Sequence, residues 1–140
     1  MFNWLKPVES QKPKTLGQVG EEIAQKEYKK QGFKIIAQNE YNKKGKRLGE
    51  IDFIAVNKTS LIFVEVKTRA DEKGLFGSPV EAVDVYKQRK ILKAIKFYLI
   101  NHLEYKDLKP QIDVCVVILK AVDKFPESVK IYMNVVDDWS

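Results

Sequence analysis

The chain is poor in the residues that build several common kinds of site. Of its 140 residues only one is cysteine, Cys115, and only one is histidine, His102. A single cysteine excludes an intramolecular disulfide and any cysteine-rich zinc site. Cys115 lies in the apolar run "VCVVIL" and reads as a small buried hydrophobe. A lone histidine at a helix end reads as structural, and gives no support to a histidine-based catalytic triad. No apolar run approaches the ~20 residues that span a bilayer, so no membrane association is expected. The start, "MFNWLKPVES", lacks a basic segment followed by an apolar one, so no signal peptide is expected either. Internal repeats and low-complexity tracts are absent. A reducing, cytoplasmic location is the expectation.

What is present is charge, in an ordinary globular background. Hydrophobic residues make up 44% and charged residues 31%, which suits a folded domain. Lysine and arginine outnumber the acids 25 to 19, a formal net charge of +6. That surplus favours anionic partners such as nucleic acid, though mildly basic proteins are common. Residues 1–15 read as a flexible N-terminal arm and 16–140 as a single domain.

Periodicity gives the order α-β-β-β-α-β-β. Leu16, Val19, Ile23 and Ala24 recur at helical spacing over 16–31, and Gly32 follows as a helix-terminating residue. Strands are expected at 33–39, 50–56, 61–67, 112–120 and 129–136, with a second helix over 80–102. This order implies an α/β domain with a mixed sheet packed by helices.

The stretch "GEIDFIAVNKTSLIFVEVKTR" places charges inside two strands. The turn "NKTS" sets a register that puts Asp52 opposite Glu65 and Glu50 opposite Lys67. All four would then share one face, with Ile51 and Phe53 together on the other. Like charges directly opposed are destabilising. Two adjacent carboxylates either share a proton or hold a cation, and an all-oxygen site suits Mg²⁺ or Mn²⁺. A bulge would break this register. The plainer alternative is a solvated sheet face with ordinary charges.

On the second helix Ile91, Ala94, Ile95, Tyr98, Leu99 and His102 form an inward stripe, joined one turn earlier by Lys87 and Gln88. Inward polar groups need partners, which the acidic patch or a phosphate could supply; Lys87 can equally be a snorkelling stem. Arg89, Lys90, Lys93 and Lys96 fall outward, either as a solvated face or as contacts to a phosphate backbone. On the first helix Glu21 lies on the line of Ala24 and Tyr28, and Glu22 on the opposite flank.

The runs "GEIDFIA", "LIFVEVKTR", "FGSPVEAV" and "KQRKI" together resemble the YraN-like family of predicted endonucleases, over roughly residues 16–120. That family belongs to the PD-(D/E)XK, or restriction-endonuclease-like, superfamily, alongside Holliday-junction resolvases. The resemblance implies an αβββαβ core with a mixed β-sheet flanked by helices. It implies Mg²⁺- or Mn²⁺-dependent hydrolysis of phosphodiester bonds in DNA. The sequence shows no recognition helix and no stacking platform, so structure-selective rather than sequence-specific cleavage is expected. Glu21, Asp52, Glu65 and Lys67 match the superfamily's catalytic positions, and Lys87 and Gln88 its basic-polar pair. Asp52, Glu65, the carbonyl of Val66 and Glu21 would hold the metal. Lys43, Lys44, Lys46, Arg47 and Arg69 would contact the nucleic acid. Related resolvases are dimers, so a homodimer is open, with Trp139 or the N-terminal arm as its interface. Two departures stand out. The loop from Asn39 to Gly49 is longer than usual, and Gln111 replaces the arginine expected two residues before Asp113. The alternative function is a non-catalytic nucleic-acid-binding module on the same fold.

Overall fold

A computed structural model describes residues 13–38, 51–70, 85–120 and 126–136, except for the side chains of Val85, Tyr86, Lys87 and Glu127. The expected arm up to residue 12, the basic loop, residues 71–84, and Trp139 lie outside the described residues.

Helix α1 spans Leu16–Lys30. Thr15 caps it: its hydroxyl accepts from the Gln18 N–H at 3.1 Å, and the Gln18 side chain accepts from the Thr15 N–H at 2.9 Å. The end is set by Gly32, whose φ of +94° is open to glycine and strained for other residues. The chain then enters the first of the five strands found among the described residues: β1 (Lys34–Gln38), β2 (Phe53–Val56), β3 (Ser60–Arg69), β4 (Lys109–Leu119) and β5 (Pro126–Tyr132). Helix α2, Val85–Asn101, lies between β3 and β4, followed by a 3₁₀ turn at Leu103–Tyr105.

The strands form one mixed sheet in the order β1-β2-β3-β4-β5. Only β3 and β4 run parallel; the other neighbours are antiparallel. A parallel neighbour requires a crossover, which α2 supplies. The result is the expected mixed α/β architecture, consistent with a restriction-endonuclease-like core.

Both faces of the sheet are covered, which explains the unbroken apolar run Ile112–Leu119 in β4: every one of its residues but Asp113 is apolar, and all are buried. On one face Ile91, Leu92, Ile95 and Tyr98 of α2 pack on Ile54, Phe63, Val114 and Val116. On the other, Ala24 and Tyr28 of α1 pack on Phe53, Val64, Cys115 and Val117. Burial pushes the Cys115 thiol up to about 12, with the charges of Glu27 and Asp113 adding to the effect, so it stays protonated. Among the described residues no helix is long and apolar enough to cross a membrane.

Several boundaries differ from expectation, among them the start of β2 at Phe53, the end of β3 at Arg69 and the start of β5 at Pro126; two others have a clear physical reason. Strand β4 begins at Lys109 rather than 112, because the parallel ladder extends to Ser60 opposite Lys109. Strand β5 stops at Tyr132, because Asn134 takes a left-handed conformation, φ 51°. That turn aims the Asn134 N–H at the carboxylate of Asp113, 2.9 Å away, and returns Val135 N–H to the Ile112 carbonyl at 2.8 Å.

Among the described residues Asp113 is the acid that the core encloses most completely, 1% exposed. It receives three donors: the Tyr28 hydroxyl at 2.7 Å, the Gln111 side-chain amide at 3.0 Å and the Asn134 N–H. Burial and the neighbouring carboxylate push the Tyr28 hydroxyl well above its usual range, so it remains a donor. Asp113 therefore ties α1, β4 and the segment after β5 together. Gln111, in place of the expected arginine, serves this structural network. Tyr28→Phe removes one donor from a buried charge and is expected to lower stability by about 1–3 kcal/mol, read from the midpoint of urea unfolding. An unchanged midpoint would show that the network contributes nothing net.

Candidate functional site

The site is built on the β2–β3 hairpin, and the turn between them fixes its geometry. The Asn57 side-chain carbonyl accepts from the Thr59 and Ser60 N–H groups at 3.0 and 2.8 Å, and the Asn57 N–H donates to the Ser60 carbonyl at 3.1 Å. Val56 then faces Leu61, Ile54 faces Phe63, and Phe53 faces Val64. This is the register expected from the sequence.

The ladder stops one residue short of Asp52. The Asp52 N–H donates at 2.9 Å to the carbonyl of Val64, although Val64 is already the partner of Phe53. Two residues of one strand against one of the other make a bulge. Strict alternation breaks there. Ile51 packs with Ile54 on the α2 face, whereas Phe53 packs on the α1 face. The expectation that Ile51 and Phe53 share a face is therefore corrected, and Asp52 and Glu65 do not form a ladder pair.

The bulge nevertheless seats the Asp52 carboxylate against the peptide that follows Glu65. The Asp52 carboxylate accepts at 2.7 Å from the N–H of Val66, which belongs to the peptide bond joining Glu65 to Val66. A side chain thus completes the bonding of β3 where the β2 backbone no longer does. In an extended strand a residue's N–H and C=O point to the same side. The Val66 carbonyl is turned to this same edge.

Glu65 and Lys67 lie on the α2 face, paired along β4 with Val114 and Val116 of that cluster. Asp52 and Glu65 are 8% and 6% exposed. The Lys67 ammonium stands 3.5 Å from a Glu65 oxygen, with both side chains largely enclosed. A buried carboxylate needs such a partner. Lys67 thus pairs with Glu65 along its own strand; Glu50, its expected partner across the hairpin, lies outside the described residues.

Helix α2 closes the same end. Tyr98 meets Phe63 edge to face at 5.8 Å, over the first half of β3. From there the helix rises about 15 Å back to Gln88, while β3 advances about 13 Å to Lys67. A crossover helix runs against its strands, so half-buried Gln88 comes to the Glu65–Lys67 end. The side chain of Lys87 lies outside the described residues, as do Lys43, Lys44, Lys46 and Arg47. Arg69, at the end of β3, donates from its guanidinium to the Thr68 carbonyl at 2.8 Å. His102 stacks on Tyr98 at 3.9 Å with its Nδ1 2.8 Å from the Tyr98 carbonyl, a structural place at the end of α2.

Glu21 approaches from the opposite face. It is half-buried beside Gly20, Ala24, Gln25 and Tyr28, whereas Glu22 faces out and pairs with Lys14 at 2.8 Å. Gly20 lets α1 sit directly on Thr68, next to the site. A Cβ on Gly20 would overlap the Thr68 hydroxyl and fall 2.7 Å from its Cβ and Cγ2. Among the described residues no three His, Cys, Asp or Glu side chains group closely enough to hold a metal. Glu21 therefore does not join Asp52 and Glu65 in a three-carboxylate group. Two carboxylates and a backbone carbonyl are hard oxygen donors, the chemistry that suits Mg²⁺ or Mn²⁺. Mg²⁺ in particular is commonly held by one or two carboxylates and keeps several waters.

The model of the uncharacterised protein family UPF0102 matches residues 20–117. The chain belongs to the UPF0102 family. A UPF0102 protein of Caldanaerobacter subterraneus subsp. tengcongensis is 40% identical over 121 residues, covering 86% of this chain and 93% of that protein. One from Clostridium botulinum strain 657 is 37% identical over the same coverage. One from Alkaliphilus oremlandii is 39% identical over 89 residues, 64% of this chain and 71% of that protein. The matched segment of this UPF0102 chain runs from Gly20 through the hairpin and α2 to Val117, and so contains the whole site.

Gly20→Ala tests the close approach. In an open helix this change would stabilise by about 1 kcal/mol; here overpacking against Thr68 is expected to reverse the sign, with a net loss of about 1–3 kcal/mol. Thr68→Ala in the same background removes two of the three clashing atoms and should return part of that loss in thermal unfolding.

Proposed function

We propose that this protein is a metal-dependent nuclease that hydrolyses phosphodiester bonds in DNA, selecting structure rather than sequence, in a cytoplasmic setting. The observation that carries this reading is the bond from the Val66 N–H to the Asp52 carboxylate. It seats one buried acid on the peptide that follows the other, with Lys67 beside them.

Asp52, Glu65 and the Val66 carbonyl would hold one Mg²⁺ or Mn²⁺. When bound, the ion supplies Lewis-acid polarisation of the phosphate and a lowered pKa for a coordinated water. The protein's own part is positioning. Asp52 is fixed by its bond to β3, and Glu65 by its burial and its pairing with Lys67. The Lys67 ammonium sits where it can orient a water or stabilise charge developing on the phosphate oxygens. Gln88 and Lys87, at the start of α2, would contact the phosphate. Glu21 would act from the α1 side through a water. Arg69 and the basic loop residues Lys43, Lys44, Lys46 and Arg47 would steer the polyanion without reading bases.

Asp52→Asn keeps an oxygen acceptor for the Val66 N–H and removes the charge. Titration calorimetry with Mn²⁺ is expected to show a loss of affinity on the order of tenfold or more in this variant. Equal binding by wild type and variant would defeat the site assignment. In a second experiment, branched, single-stranded and duplex DNA are incubated with the protein and Mn²⁺. Lys67→Ala should slow cleavage by on the order of 10²–10³-fold. Cleavage that persists at the wild-type rate would identify a contaminating nuclease. Metal binding and DNA binding without cleavage would leave a non-catalytic nucleic-acid-binding module.

A further inference from the structure

The two helices that cover the sheet differ in how they carry charge. Helix α1 mixes signs, with Glu21, Glu22 and Glu27 among Lys26, Lys29 and Lys30, and Glu22 pairs with Lys14. Helix α2 has no acid at all in "VYKQRKILKAIKFYLIN". Its cations Arg89, Lys93 and Lys96 are exposed, and no ion pair engages them among the described residues. Lys90, also exposed, has an interaction within the chain.

Arg89, Lys93 and Lys96 stand four and three residues apart. At about 100° per residue they fall within one narrow sector of the helix, facing away from the buried stripe of Ile91, Ile95 and Tyr98. Like charges at these spacings repel. A face of this kind is relieved by an anionic partner that neutralises all three together.

The spacing indicates which partner. At about 1.5 Å per residue, the three cations cover about 10 Å along the helix axis. Successive phosphates of one strand of a duplex advance by about 3.4 Å along its axis. Laid along that axis, the row therefore spans about three phosphate steps, or about four consecutive phosphates. It begins beside Gln88, at the end of α2 that the crossover directs towards the Glu65–Lys67 end of β3, and gives way to exposed Phe97 and Ile100. A single strand would instead call for a series of aromatic platforms, and along this face Phe97 is the one exposed aromatic side chain described.

We propose that the outer face of α2, through Arg89, Lys93 and Lys96, is a docking ridge for the phosphate backbone of a nucleic-acid duplex. This inference rests on the nucleic-acid part of the reading above, not on the metal. The ridge supplies register and affinity without reading sequence, and it leads the bound backbone towards the acids at the hairpin.

The test measures binding of the full chain to a short fluorescent DNA duplex in EDTA, over a range of NaCl concentrations. The triple variant Arg89→Gln, Lys93→Gln, Lys96→Gln should flatten the plot of log Kobs against log salt by about 0.9 per cation removed, about 2.7 in all. Glutamine is close to lysine and arginine in helix propensity, and circular dichroism verifies that the variant folds. Lys26→Gln, Lys29→Gln, Lys30→Gln on α1 makes the same charge change elsewhere and should leave the slope near wild type. An unchanged slope in the α2 variant, or an equal flattening in the α1 variant, overturns the proposal. Equal loss of binding to a single-stranded probe overturns its duplex geometry. Expected slopes combined with identical Mn²⁺ titrations of wild type and Asp52→Asn would keep the ridge and defeat the hydrolytic reading. A wild type that binds no duplex in EDTA would defeat both the ridge and the nucleic-acid reading.

Discussion

One hydrogen bond organises the functional end of this molecule, that from the Val66 N–H to the Asp52 carboxylate. Strand β3 is the centre of the sheet, and on its β4 side every position from Ser60 to Arg69 is paired. On its β2 side the ladder ends at Val64. Beyond that point the Val66 N–H would be left without a partner, at a cost of about 1–3 kcal/mol if buried. Asp52 fills the gap with a side chain. A carboxylate has capacity beyond one donor, so the same group that satisfies the backbone keeps oxygen lone pairs for something else.

The two covering helices make this end polar in a controlled way. The α2 side brings Gln88 over the same end as Glu65 and Lys67, and the α1 side brings Glu21 through the contact of Gly20 with Thr68. Between them the sheet stays apolar, so charge is admitted only where it is paired. Lys67 with Glu65, and the three donors on Asp113, are two solutions to one constraint. The first leaves a cation and an anion side by side at the end of the sheet. The second is sealed, and holds parts of the fold together.

Much of this could be read from the chain before any coordinates, because it depends on local periodicity. The Gly32 stop, the α2 stripe from Ile91 to Tyr98 and its outward cations all follow from helical spacing, and the hairpin register follows from the Asn57 turn. The bulge at Asp52 was hidden. Alternation predicts a regular strand, and a bulge arises only from how β3 satisfies its remaining backbone donors. The Asp113 network was hidden for another reason. Tyr28, 85 residues away, supplies the closest donor, and Asn134 supplies another only because its backbone turns left-handed. One signal was available: a tyrosine on an apolar helical stripe calls for a partner for its hydroxyl.

The parallel pairing of β3 with β4 bears on the order in which the chain can assemble. The hairpin joins neighbours in sequence, whereas Ser60 meets Lys109 only after the whole of α2 has been made. Contacts of high sequence separation form late, since a long loop must close first. During synthesis the hairpin, with its two acids, therefore emerges from the ribosome well before the strand that completes the sheet beside it. For that interval Glu65 and Asp52 stay in water, where their charges are cheap, and their desolvation is deferred until the rest of the sheet and its covering elements assemble.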